Sequence, residues 1–208
     1  MDKMSIRKRS NLVIALTILV AILFSTPIVK LIQPVGFLFN VVFAGLIGLI
    51  FFKEQFLQQF KHFKLKVMLY GIPLTMLTGI VMGFIYQILA GQPTTNSIDS
   101  TISMAMIFTQ IPFMLMGEEV LSTNLLIALE NKGLSFTTAS IIVSILFAFW
   151  HTSAYGFHPL QLLLTLMPIR LVLNFIWMRS KSIWVSWICH YLFDLLSLIP
   201  MSQVHNPV

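Results

Sequence analysis

The feature that most restricts the fold of this chain is a series of long apolar segments separated by short polar ones. A helix needs about 20 apolar residues to cross a hydrocarbon core of about 30 Å, and about seven segments reach that length. The expected spans are 11–31, 34–52, 67–90, 102–129, 137–157, 160–178 and 183–200. Lipid offers the backbone no hydrogen-bond partners, so each span should be helical. The sequence therefore predicts an all-α, polytopic membrane helix bundle.

Charged residues are too few for a soluble domain of this size. They make up 10% of the 208 residues, and hydrophobic residues make up 57%, whereas a soluble domain carries about 25% charged residues. The net charge of +6 comes from basic residues in short loops, which is typical of cytoplasmic loops rather than of a nucleic-acid surface. The single cysteine, Cys189, excludes an internal disulfide and a cysteine-rich metal cluster. We expect a lipid bilayer around the chain and no nucleic acid as a partner.

The distribution of Lys and Arg predicts the orientation. With a cytoplasmic N-terminus, the basic residues of "MDKMSIRKRS", "KEQFLQQFKHFKLK", "ENKG" and "RSKS" all lie inside. The loop "GQPTTNSIDS" and the tail "MSQVHNPV" lack Lys and Arg and lie outside. Only Lys30 and Arg170 depart from this pattern. The amphipathic linker 53–66 is expected either to lie along the inner leaflet or to be an ordinary basic loop.

Ionisable side chains inside membrane spans are costly and usually functional. Those of this chain are Glu118, Glu119, His151, Arg170, His190 and Asp194. All follow residue 100, so we expect residues 1–100 to form N-terminal scaffold helices and residues 101–200 a catalytic core, within a single structural domain. At about 1.5 Å of rise per residue, the glutamates, histidines and aspartate lie roughly 12 to 20 Å from the cytoplasmic ends of their helices. Their similar depth predicts one buried polar site.

The spacing of these residues indicates their relations. His190 and Asp194 are four residues apart and share one helix face, as do Phe147 and His151. Glu118 and Glu119 diverge by about 100° around a helix, so they should have different roles.

A carboxylate beside a histidine can activate water, and a second histidine can stabilise an oxyanion. Alternatively, two histidines and a carboxylate could hold a metal with an open coordination position. Each reading indicates hydrolysis.

Together these residues resemble the CPBP family, also called Abi or CAAX-protease-like, of intramembrane endopeptidases. The family's motifs are EExxxR, FxxxH and HxxxN or HxxxD. Here the matching residues are Glu118-Glu119, Phe147-x-x-x-His151 and His190-x-x-x-Asp194, in that order over about residues 110–200.

The resemblance implies a role for each matching residue. Glu118 would be the carboxylate that activates water, assisted by His151, and Glu119 would orient the site. His190 with Asp194 would polarise the substrate carbonyl or stabilise the oxyanion, and Phe147 would support the site. The substrate would be a peptide or membrane protein cleaved near the cytoplasmic half of the bilayer. Bacterial relatives indicate a bacterial cell membrane and a role in bacteriocin immunity or in peptide processing.

The resemblance leaves the cofactor open. The family is commonly labelled as metalloproteases, yet relatives also support a metal-free glutamate mechanism, and this chain has no HExxH motif. No cofactor is certain. If zinc binds, its ligands would be Glu119, His151, His190 and Asp194; the metal-free route is slightly favoured.

One position departs from the family pattern. Thr123 stands where the first motif has arginine. We hypothesise that Arg170 supplies the missing positive charge beside the glutamates or Asp194, because an unpaired arginine at that depth is costly. The alternative is that Arg170 extends toward an interface. Two other functions stay open: a non-catalytic membrane immunity or binding protein of the same fold, and a proton-coupled transporter.

Overall fold

The computed structural model describes residues 3–26, 31–32, 34–97 and 102–205, and within these ranges the regular structure is entirely helical. The helices are α1 (Lys3–Phe24), α2 (Phe39–Phe51), α3 (Glu54–Lys61), α4 (Leu65–Ala90), α5 (Met104–Thr109), α6 (Ile111–Asn131), α7 (Phe136–Trp150), α8 (Thr152–Tyr155), α9 (Pro159–Gln161), α10 (Met167–Ser180) and α11 (Ile183–His205). A 3-10 turn, Gly36–Leu38, leads into α2, and a π-helical turn, Leu162–Leu166, joins α9 to α10.

Four helical segments are long and apolar enough to cross a membrane by length and composition. They are Leu65–Ala90, Ile111–Asn131, Phe136–Tyr155 and Pro159–Ser180, and the shorter segments Gly36–Phe51 and Ile183–Leu198 are also apolar. Each of the predicted spans overlaps a helix of the structure. The predicted all-α, polytopic membrane fold is confirmed.

Several predicted spans differ from the observed helices. The predicted span 137–157 is interrupted at His151, where α7 ends and the short helix α8 follows. The first helix begins at Lys3 and ends at Phe24, because Arg and Lys are good helix formers and extend it beyond the apolar segment. The end of that predicted span, with Lys30, lies outside the described residues. The predicted span 102–129 is divided at Gln110 into α5 and α6. Pro112 lies in the first turn of α6, where its missing N–H costs no helical hydrogen bond.

The linker between α2 and α4 is helical rather than an ordinary loop. Its helix, α3, buries Phe56 and Gln59 and leaves its other polar residues exposed. The ring of Phe56 joins the core cluster of α1, α2 and α6, and Gln59 accepts a hydrogen bond of 3.1 Å from the indole of Trp177. The amphipathic pattern is therefore satisfied by packing against the protein itself.

Helix α6 lies at the centre of the bundle. Of the 18 consecutive residues that make up the most apolar part of α6, 83% are buried, compared with 11% in α4. Helices α1, α2, α7 and α11 pack around it, and the exposed apolar face of α4 is suited to lipid. A polar side chain on α6 is therefore enclosed by protein, which is where Glu118 and Glu119 lie.

Gly117 allows α2 to approach α6 directly before the two glutamates. A β-carbon at Gly117 would lie 2.6 Å from Cβ of Asn40 and 2.7 Å from the backbone nitrogen of Val41. Two turns further along α6, the Asn124 amide donates a 2.8 Å hydrogen bond to the carbonyl of Ala44. The close contact of these two helices fixes the backbone that carries Glu118.

We expect Gly117→Ala to lower the free energy of unfolding by about 1–3 kcal/mol, because α2 would have to move away from α6. The matched control is Gly45→Ala in α2, where an added β-carbon meets nothing within 4 Å. That change should be neutral or stabilising, by up to about 1 kcal/mol, since alanine is the better helix former. Denaturant unfolding in mixed micelles measures both. Equal effects would show that the helices are not in close contact.

Candidate functional site

The two adjacent glutamates of α6 lie in different environments. Glu119 is fully buried, and Glu118 retains 7% of its exposed surface. Their directions differ by about 100° around the helix, so each meets different neighbours. The sequence predicted two roles for the pair, and in the structure the two carboxylates have different contacts, with His190 as a shared neighbour.

Glu119 forms a buried ion pair with Arg170 of α10. The guanidinium donates two hydrogen bonds, from Nη1 to Oε1 at 2.6 Å and from Nη2 to Oε2 at 3.0 Å. Neither side chain is exposed. This two-pronged geometry is the strongest form of carboxylate recognition. Arg170 thus lies beside a glutamate, as hypothesised, and does not extend toward an interface.

Arg170 is itself held by polar side chains that sequence reasoning missed. Its Nε donates to Oδ1 of Asn174 at 2.9 Å, and the amide of Asn174 donates to the hydroxyls of Ser140 at 3.0 Å and Ser144 at 3.3 Å. The ring of Phe147 lies 5.4 Å below the guanidinium carbon. The available signals were the four-residue spacings of Arg170 with Asn174 and of Ser140 with Ser144.

His190 of α11 is oriented by Glu119. Its Nδ1 lies 2.9 Å from Oε1 of Glu119, and because the carboxylate can only accept, the proton of this hydrogen bond belongs to the imidazole. The other ring nitrogen, Nε2, lies 4.0 Å from Oε2 of Glu118. Glu119 therefore connects Arg170 to His190 and turns the free nitrogen of His190 toward Glu118.

His151 lies at the end of α7 rather than inside a longer span. The helix ends at Trp150, and His151 caps it. Its Nδ1 lies 2.8 Å from the carbonyl of Phe147 and donates to it. The ring stacks on Trp150 with an interplanar angle of 3°. Its Nε2 then faces Glu118, 3.7 Å from Oε1.

Glu118 consequently lies between the Nε2 atoms of two histidines. Both distances, 3.7 Å and 4.0 Å, exceed a direct hydrogen bond and suit contacts bridged by a water molecule. The side chains of Glu118 and His151 keep 10% and 15% of their surface exposed. The site is buried yet open enough for a small molecule to reach Glu118.

Asp194 lies one turn beyond His190 and is partly buried. Among the described residues, none of the ion pairs of the site involves its carboxylate. The hydrogen-bond partner of His190 is Glu119 rather than Asp194. Asp194 therefore lies next to the site, and its role there stays a prediction.

Thr123 occupies the position of the family's arginine, but its side chain does not replace the arginine in the site. It is fully buried in α6, and its hydroxyl donates to the carbonyl of Val120 at 3.2 Å. Arg170 reaches Glu119 from α10 instead. The positive charge that the first motif lacks is thus supplied from another helix.

The residues named for zinc do not fit a metal ion in this arrangement. Within the described ranges, no group of three or more His, Cys, Asp and Glu side chains is placed to hold one. Of the predicted ligands Glu119, His151, His190 and Asp194, Glu119 already accepts from Arg170 through both oxygens. A guanidinium in that position would also repel a cation. Glu119 is therefore bound to Arg170 and is unsuited as a metal ligand.

Comparison with known proteins finds a family match in the second half of the chain. Residues 100–196 match the family model described as type II CAAX prenyl endopeptidase Rce1-like. The predicted resemblance to CAAX-protease-like membrane endopeptidases is thereby confirmed. No curated protein matches the chain significantly, and no solved structure does. The matched segment contains every charged residue of the site described above.

Proposed function

We propose that this chain, Rce1-like over residues 100–196, is an intramembrane endopeptidase that hydrolyses a peptide bond with water activated by Glu118. The observation that most supports this proposal is that the two glutamates have different partners. Glu119 is neutralised by Arg170, whereas Glu118 faces only the Nε2 atoms of His151 and His190. Among the described residues no Arg or Lys side chain pairs with Glu118, and a carboxylate that faces two imidazoles is suited to accept a proton.

In the proposed reaction, a water molecule lies between Glu118 and His151. Glu118 takes one proton, and the water oxygen forms a bond to the carbonyl carbon of the substrate. His190, held by Glu119 through Nδ1, donates from Nε2 to the carbonyl oxygen as negative charge develops there. Asp194 favours the positive charge on His190. The carbon–nitrogen bond then breaks, and Glu118 returns its proton to the leaving amine.

The buried network behind the site supports catalysis over a purely structural role. A stable bundle does not require buried charges, since well-packed apolar residues of similar volume are often as stable. Arg170, Glu119 and His190 nevertheless form a continuous chain of hydrogen bonds, and the Nε2 atom of His190 at the end of this chain lies 4.0 Å from Glu118. Such a chain orients an imidazole, which is what an oxyanion-stabilising group needs.

The proposed substrate is a peptide or membrane protein that enters from the bilayer. With the N-terminus in the cytoplasm, as the basic loops predict, cleavage would occur in the cytoplasmic half of a bacterial cell membrane. Processing of peptides or bacteriocin immunity would be consistent with that location. A non-catalytic immunity or binding protein is the alternative that the test must separate.

The test is mass spectrometry of peptides incubated with the purified chain in lipid bilayers. The panel should include transmembrane peptides and peptides with a lipidated cysteine near the C-terminus. We expect one peptide class to yield two products whose masses sum to the substrate plus one water. Intact peptides throughout the panel, with a folded protein that binds them, would favour the non-catalytic alternative.

We expect a strong chelator to leave the cleavage rate unchanged, because Glu119 is engaged by Arg170 and does not fit as a metal ligand. The measurement is the initial rate with and without chelator, after dialysis against metal-free buffer. A rate that falls more than tenfold and returns on addition of Zn²⁺ would show that the reaction depends on a metal.

A further inference from the structure

A basic pocket lies apart from the proposed catalytic site, where the start of α4 meets the end of α10. It is a cavity of about 510 Å³ lined by Lys64, Leu65, Lys66, Val67, Tyr70 and Arg179. Helices α4 and α10 both belong to membrane-spanning segments, so the pocket lies near the membrane–water boundary. Arg179 follows Arg170 by nine residues, or about 13 Å along the helix.

The positive charges of this pocket are not neutralised by the protein. Among the described residues, none of the ion pairs involves Lys64, Lys66 or Arg179. The ammonium of Lys64 instead donates to the backbone carbonyl of Arg179 at 3.1 Å, which joins the start of α4 to the end of α10, and the guanidinium of Arg179 lies over the ring of Phe175 at 5.7 Å. A concentration of unpaired positive charge of this kind is complementary to an anion.

The surroundings of the pocket are apolar. Leu65 and Leu69 of α4 are 56% and 61% exposed, and Tyr70 is 37% exposed. The exposed apolar face continues along α4 through Leu77, Ile80 and Phe84. An anion in the pocket could therefore be attached to hydrocarbon chains that lie along α4.

We propose that this pocket binds the phosphate group of an anionic phospholipid. Basic pockets between membrane helices are typical sites for the head groups of such lipids. Lys64, Lys66 and Arg179 contact the phosphate, and Tyr70 supplies a hydroxyl donor. The acyl chains pack on the apolar face of α4. The proposal is independent of proteolysis.

The test is the retention of phosphatidylglycerol and phosphatidylcholine with matched acyl chains by the purified full chain in detergent, measured by native mass spectrometry. We expect a preference for phosphatidylglycerol of at least tenfold. Removing one charge, by Lys66→Gln or Arg179→Gln, should lower its affinity about fivefold, and Lys64→Gln/Lys66→Gln/Arg179→Gln should abolish the preference. The single variants suffice if the triple variant does not fold.

The matched control is Lys8→Gln/Lys61→Gln/Lys132→Gln, which removes the same number of charges from other basic segments and should keep the preference. Equal retention of both lipids by the wild type would overturn the proposal, and so would an equal loss in the control. Displacement of the lipid by millimolar inorganic phosphate would show a site for free phosphate instead of a lipid.

Discussion

Arg170→Gln is expected to lower the free energy of unfolding by about 3–5 kcal/mol, because it leaves the buried carboxylate of Glu119 without its cation. Both side chains are fully buried and joined by two hydrogen bonds. Without Arg170, the carboxylate of Glu119 would no longer be held in the position from which it orients His190. We therefore expect both stability and peptide hydrolysis to fall. The measurements are denaturant unfolding in mixed micelles and the initial rate of cleavage.

The matched control is Arg179→Gln, which removes an exposed arginine from the same helix and should change stability by less than about 0.5 kcal/mol. The double variant Glu119→Leu/Arg170→Met removes both charges together. It should recover much of the stability, because an apolar pair often replaces a buried ion pair without loss. It should remain inactive, since His190 then lacks its partner. Unchanged folding and activity in Arg170→Gln would refute the ion pair.

The general fold could be predicted because it depends on segment length and composition. Apolar segments long enough to cross a bilayer must be helical, and each predicted span overlaps an observed helix. The details that failed depend on local geometry. The division at Gln110 reflects proline chemistry within one apolar segment, and the early start of α1 reflects the helix propensity of basic residues. Neither feature is visible in the hydropathy of the chain, on which the prediction of the spans depended.

The grouping of the site residues was accessible from spacing and depth, but their pairing was not. The sequence placed His190 with Asp194 on one helix face, yet the hydrogen bond of His190 goes to Glu119. That contact depends on how α6, α10 and α11 pack, which no periodicity specifies. Arg170 was identified from the cost of an unpaired charge. Asn174, which holds it, was missed because a buried amide is common in helix interfaces.

Glu118→Gln is expected to lower the rate of peptide hydrolysis by about 10²–10⁴-fold, the usual contribution of a general base. Glutamine has nearly the same size as glutamate but cannot accept the proton from water. The fold should persist, because Glu118 lies 3.7 Å and 4.0 Å from its nearest ionisable partners and forms no ion pair as close as that of Glu119. Loss of activity with retained stability would therefore distinguish the catalytic role of Glu118 from the role of Arg170, whose substitution lowers both.

The most direct measurement is the single-turnover rate of peptide cleavage by the wild type, Glu118→Gln and Glu130→Gln in the same lipid bilayers. Glu130 is a matched control, a glutamate of the same helix at its far end. The proposed reaction predicts a rate at least 100-fold lower for Glu118→Gln, with the Glu130→Gln rate close to that of the wild type. A Glu118→Gln protein that cleaves at the wild-type rate would contradict the assignment of Glu118 as the base.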